Sequence, residues 1–153
     1  MAVSFEGAPP PVFCSKGLKF NTDQSINLVE NGYAPFMMAK YGGGGFHSLQ
    51  DGATSHTFHE TMEVLRKMFG PDRILQNPPN SPDLSPLAYY AWDAVDQKVQ
   101  SLGPKNLPGL KKCIAQAWRE LNLDHLKKAC TTGWVKRLKA CVINEGGRFE
   151  YAL

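Results

Sequence analysis

The stretch FHSLQDGATSHT, Phe46–Thr57, decides how the rest of the chain is read. Apolar Phe46 and Leu49 lead into Asp51, which predicts a short strand ending at that carboxylate. Gly52 and Ala53 read as a turn, and Thr57 with Glu60 has the spacing of a capping box opening an amphipathic helix. Met62, Leu65, Met68 and Phe69 supply that helix with a buried face, and Gly70-Pro71 ends it. Ile74 and Leu75, within Arg73–Gln76, predict the next strand. Strand, helix and strand in this order predict an α/β fold. A carboxylate at the carboxyl end of a strand is where open α/β sheets place their chemistry.

Upstream, Ala2–Phe5, Val12–Cys14 and Leu18–Phe20 are short apolar or alternating runs separated by turn residues. They predict two or three antiparallel strands. Asn21 or Thr22 is placed to cap a helix whose stripe is Ile26, Val29 and Tyr33, kinked or restarted at Pro35. Gly42–Gly45 then reads as a flexible connector. A phosphate cradle needs a helix after the glycines and usually a Lys-Ser/Thr pair, and here a strand follows. Downstream, the prolines of PPNSPDLSPLAYYAW (Pro78–Trp92) enforce a rigid approach, and Pro86 suits a first helical turn. Leu87, Ala91, Trp92, Val95 and Val99 continue as a helix. Asn106 caps a further helix with the stripe Leu107, Leu110, Ile114, Trp118 and Leu121. A short helix around His125–Ala129 follows, and a last one over Gly133–Ile143 is expected to bury Trp134, Leu138, Cys141 and Val142.

At 153 residues, 42% hydrophobic and 20% charged, the chain reads as one globular domain and not as a disordered tail. No run of about 18 apolar residues predicts a membrane span, and residues 1–11 lack the pattern of a signal peptide. Cys14, Cys113, Cys130 and Cys141 form no CxxC pair, so buried free thiols in a reducing compartment are expected. His56 and His59 stand beside Glu60 but not in the HExxH order, so no zinc site is expected. The net charge of +3 is divided unevenly. Residues 1–100 carry 7 Lys/Arg against 10 Asp/Glu, whereas residues 101–153 carry 10 against 4. A basic, helical C-terminal third fits contact with a polyanion.

QDGATSHT (Gln50–Thr57) and PPNSPDLSPLAYYAW (Pro78–Trp92) resemble the two best-marked blocks of mariner-type transposases, in the DDE/D superfamily. PPVFCSKGLKFN (Pro10–Asn21) is similar to the strand pair before the first block there. LKKACTTGWVKRLKACVINEGGRFE (Leu126–Glu150) resembles the closing helices and tail, so the resemblance covers almost the whole chain. It implies an RNase H-like mixed sheet flanked by helices, N-terminally truncated and with a helical C-terminal extension. It implies DNA transposition or integration, and a nuclear location. In that family three acids bind two Mg²⁺ ions, which clamp both sides of an in-line phosphoryl transfer.

Carried over by residue, the middle acid is Asp51, with His56 and the structural Asp83 as motif neighbours. The third acid position, after 36 intervening residues, is Ala88, whose methyl ligates nothing. The first acid lies upstream in the family and has no matching context here. Asp93 is about 140° round an α-helix from Ala88 and points elsewhere. The resemblance therefore implies a catalytically inactive transposase derivative with Asp51 as a residual metal ligand. Nucleic acid would be held by Lys111, Lys112, Arg119, Lys127, Lys128, Lys136, Arg137 and Lys139. The alternatives are a non-catalytic interaction module, whose open sheet edge accepts a strand from a protein partner or a second copy, and an inactivated fragment of an active transposase.

Overall fold

Asn21 opens the first helix with its side chain, which accepts a hydrogen bond from the Gln24 amide at 3.0 Å. Helix α1 (Thr22–Asn27) passes into a π-helical stretch (Leu28–Tyr33) and then into α2 (Ala34–Tyr41). Pro35 sits in the first turn of α2. Proline lacks an amide donor and its ring presses on the preceding turn, and a π turn is one way a helix absorbs such an insult without ending. The predicted restart at Pro35 is thus a change of winding. Gly42, at φ 57°, closes α2 through its amide to the Met38 carbonyl.

The computed structural model describes residues 1–153 apart from 16, 19–20, 43, 52–58 and 153. The chain gathers into two compact units. One comprises Met1 and Val12–Ser81; the other comprises Ala2–Pro11 and Pro82–Leu153.

In the first unit, β1 (Ser48–Gln50) and β2 (Ile74–Gln76) pair in parallel, with Ser48 opposite Ile74 and Gln50 opposite Gln76. Parallel neighbours cannot be joined by a hairpin and need a crossover, and α3 (His59–Phe69) supplies it. Its apolar stripe is the one predicted: Met62, Leu65 and Phe69 are buried and Met68 is half-buried. Val29, Ala34 and Phe46 complete the core, with Phe46 edge-on to Phe69 at 5.2 Å between ring centres. The predicted capping pair cannot be described, because Thr57 lies outside the described residues.

The predicted antiparallel start is corrected at its first two runs, while Lys19 and Phe20 of the third lie outside the described residues. Among the described residues the sheet has two parallel strands, and residues 12–15 form no strand. Upstream there is only an isolated bridge, in which Ser4 and Gly7 exchange both backbone hydrogen bonds across a tight turn. That turn engages the Ser4 and Gly7 amides with each other, and Pro9–Pro11 supply no amide donors at all. The architecture of the described residues is therefore α/β and predominantly helical, with a small parallel sheet.

In the second unit the regular elements from Pro82 onward are helical among the described residues. A π-helical stretch (Leu87–Trp92) runs into α4 (Asp93–Leu102), and α4 packs against α5 (Leu107–Arg119). Asn106 caps α5 as predicted, accepting from the Gly109 amide at 2.8 Å. Then α6 (Leu123–Lys128), a π-helical stretch (Ala129–Gly133) and α7 (Trp134–Ile143) follow without a break, where two separate helices were expected. Gly133 makes this junction possible, since a Cβ there would lie 2.9 Å from the Lys128 carbonyl oxygen. Ala91, Val95, Val99, Trp118, Leu121, Leu126 and Phe149 are buried. Three residues of the predicted apolar stripes are not. Trp92, Leu107 and Val142 are exposed, and Val142, one residue past Cys141, is turned about 100° off the inward face.

Candidate functional site

Asp51 directly follows β1, as the sequence predicts, and its residue is exposed. The neighbouring strand end is tied down beside it. The Asn77 amide donates to the Gln50 carbonyl at 2.7 Å, and Asn77 Nδ2 donates to the Ser81 carbonyl at 2.5 Å. Asn77 Oδ1 is buried without a hydrogen-bond partner among the described residues. The side chain of Gln50 donates through Nε2 to Ser48 Oγ at 2.8 Å and to the Tyr33 hydroxyl at 3.4 Å. Electrostatically, Asp51 acts on the Met1 amino group. Burial lowers the pKa of that amine, and Cys14 and then Asp51 oppose the lowering.

Burial pushes the Tyr33 phenol up to about 12 from 10, with the Gln50 hydrogen bond working the other way. A raised folded-state pKa stabilises fully below the unfolded value and is lost as pH climbs through the folded one. Stability in the first unit is therefore expected to fall between pH 10 and pH 12. At roughly 1.4 kcal/mol per pH unit, Tyr33 contributes about 2–3 kcal/mol of that fall. Urea titrations from pH 8 to pH 12 check this, and Tyr33→Phe is expected to flatten the curve relative to the parent chain.

Asp83 and Ala88 lie in the second unit, where the Pro-rich block serves as a docking point for the last helix. Trp134 Nε1 donates to the Leu84 carbonyl at 2.9 Å, and Arg137 Nη1 donates to the Asp83 carbonyl at 3.1 Å. The Arg137 guanidinium lies 4.0 Å above the Tyr89 ring. The Tyr89 hydroxyl donates to the Ala129 carbonyl at 2.5 Å, and the Tyr90 hydroxyl to the Asn122 carbonyl at 3.2 Å. Burial pushes the Tyr89 phenol up to about 12 against the pull of Arg137, and pushes the Cys130 thiol up to about 11, which leaves that thiol unreactive near neutrality. Asp83 thus holds a turn through its backbone. No local sequence pattern announced these contacts, which join residues 32 to 54 positions apart.

Ala88 falls in the π-helical stretch Leu87–Trp92. There the hydrogen bonds run from i to i+5, so the 140° that separated Asp93 from Ala88 on an α-helix does not apply. Asp93 is instead engaged with Gln97, whose Nε2 donates to it at 2.8 Å, and Asp96 likewise receives Gln100 Nε2 at 2.6 Å. Among the described residues no three His, Cys, Asp or Glu side chains form a group able to hold a metal ion. Mg²⁺ needs hard oxygens in near-octahedral order, and the described residues do not fit a two-ion centre. His56 lies outside them. His59 opens α3, exposed, 3.7 Å from Glu63.

The predicted basic residues divide by environment. Lys112, Arg119, Lys127, Lys128, Lys136 and Lys139 are exposed, while Lys111 and Arg137 are half-buried. Arg119 turns its Nε to the Ala115 carbonyl at 3.3 Å, and Lys98 pairs with Glu120 at 3.0 Å. The four cysteines are free, and Cys14 is exposed, contrary to the expectation of buried thiols. No helix among the described residues is long and apolar enough to cross a membrane. Comparison with protein families finds no match, and comparison with curated proteins finds none either.

Proposed function

We propose that this chain is a transposase-derived nucleic-acid-binding protein that neither cuts nor joins DNA. The observation that carries the reading is the set of exposed lysines on the C-terminal helices. Cations of this kind that contact phosphate release its condensed counterions, a gain in free energy that added salt diminishes. The strand–helix–strand arrangement with Asp51 after β1 supports an RNase H-like ancestry, and Ala88 at the third acid position supports loss of Mg²⁺-dependent chemistry. A nuclear location belongs to the same reading.

The test uses a fluorescently labelled duplex of mixed sequence, with and without Mg²⁺. Binding in both conditions, with the labelled strands left intact, is the expected result. Mg²⁺-dependent nicking would overturn the inactive part of the reading.

A second reading rests on the sheet. With two strands among the described residues, each strand has an open side, and such edges accept a strand from a partner or a second copy. Dimerisation seen by light scattering, with salt-insensitive and weak DNA binding, would favour it.

A further inference from the structure

The continuous helix made of α6, its π turn and α7 turns one side inward and one outward. Leu126, Ala129, Trp134, Leu138 and Cys141 are buried or half-buried, whereas Lys127, Lys128, Lys136 and Lys139 are all exposed. The π turn matters to this arrangement. It inserts extra residues into the winding, so that Trp134 and Arg137 reach the Pro-rich block and both lysine pairs stay outward. The four lysines extend along roughly 18 Å of helix at 1.5 Å per residue. None of them forms an ion pair among the described residues. The exposed acid on this helix is Asp124, near its amino-terminal end.

Resting on the nucleic-acid reading, we infer that this outward ridge is the contact surface, that its ligand is the phosphate backbone of a duplex, and that Arg137 is not part of it. Arg137 is spent on Asp83 and Tyr89. Binding of single strands leans on aromatic side chains on which bases stack. The ridge instead offers Thr132 and Val135 between its lysines, with no exposed Trp, Tyr or Phe from Leu123 to Ile143. The exposed ring there, His125, precedes the lysines and stands edge-on to Tyr90 at 6.4 Å. Flexible ammonium groups reading only phosphate give sequence-independent binding.

The experiment measures anisotropy of a labelled 20-base-pair DNA duplex, and of one of its strands alone, from about 50 to 200 mM salt. Four phosphate contacts predict a slope of log affinity on log salt of about −3.6, equivalent to roughly a 100-fold loss over that range. The variant Lys127→Gln/Lys128→Gln/Lys136→Gln/Lys139→Gln is expected to bring the slope close to zero and to lose about 100-fold in affinity at the lowest salt. The control Lys40→Gln/Arg66→Gln/Lys67→Gln, exposed cations of the other unit, is expected to bind as the parent does. Circular dichroism verifies that both variants are folded. Parent-like affinity in the ridge variant would overturn the ridge while leaving nucleic-acid binding standing. Tighter binding of the single strand would overturn the duplex assignment, and no binding by the parent would remove the underlying reading itself.

Discussion

Trp118→Ala is expected to lower the unfolding free energy of the second unit by about 3–5 kcal/mol, the range for emptying a buried tryptophan site. Trp118 is 3% exposed, and its Nε1 donates to the Pro9 carbonyl at 2.7 Å across 109 residues. Removing the indole leaves a void between α5 and the amino-terminal segment. It also strips a buried carbonyl of its donor, and an unsatisfied group of that kind carries its own penalty. Trp118→Phe separates the two contributions. Most of the apolar volume stays and the donor goes, so about 1–3 kcal/mol is expected. Urea unfolding followed by far-ultraviolet circular dichroism checks both variants, and equal stability of the alanine variant and the parent would deny that Trp118 joins these segments.

Leu65→Ala is expected to cost the first unit about 2–5 kcal/mol. Leu65 is fully buried on α3, in the cluster that includes Val29, Met62 and Phe69. α3 is the crossover between the two parallel strands, so loosening it should reach the strand ends. Hydrogen exchange offers the readout. Protection of the Asn77 amide, bonded to the Gln50 carbonyl, is expected to fall with that of α3. Protection at Asn77 unchanged while α3 exchanges faster would show that the strand pair is held by something other than this core.

These two sites also show what the sequence could and could not disclose. Leu65 was readable because Met62, Leu65, Met68 and Phe69 repeat at helical spacing between two apolar runs. The strand–helix–strand order and the position of Asp51 followed from that. Trp118 was readable as a core residue but its partner was not, since nothing near residue 118 points to Pro9. The π turns were equally hidden. A period of 3.6 assumes α winding throughout, so it placed Trp92 inward and cut the last helix in two. The amino-terminal strands failed for another reason. Alternation and apolar runs describe what a strand looks like but not whether a partner is available, and Ser4 and Gly7 bond to each other.

The candidate site was legible in part for similar reasons. Charge counts located the basic third of the chain, but they could not separate Arg137, held over Tyr89, from Lys136 and Lys139 on either side of it. Likewise Asp83 could be assigned to a turn from its prolines, whereas the helix that clamps this turn comes from about fifty residues further along.

Salt dependence of duplex binding by the unmodified chain decides whether it holds nucleic acid through phosphate. Log affinity is expected to fall linearly with log salt at a slope of about −3.6, from contacts made by exposed lysines. A weak affinity that does not change with salt would contradict it.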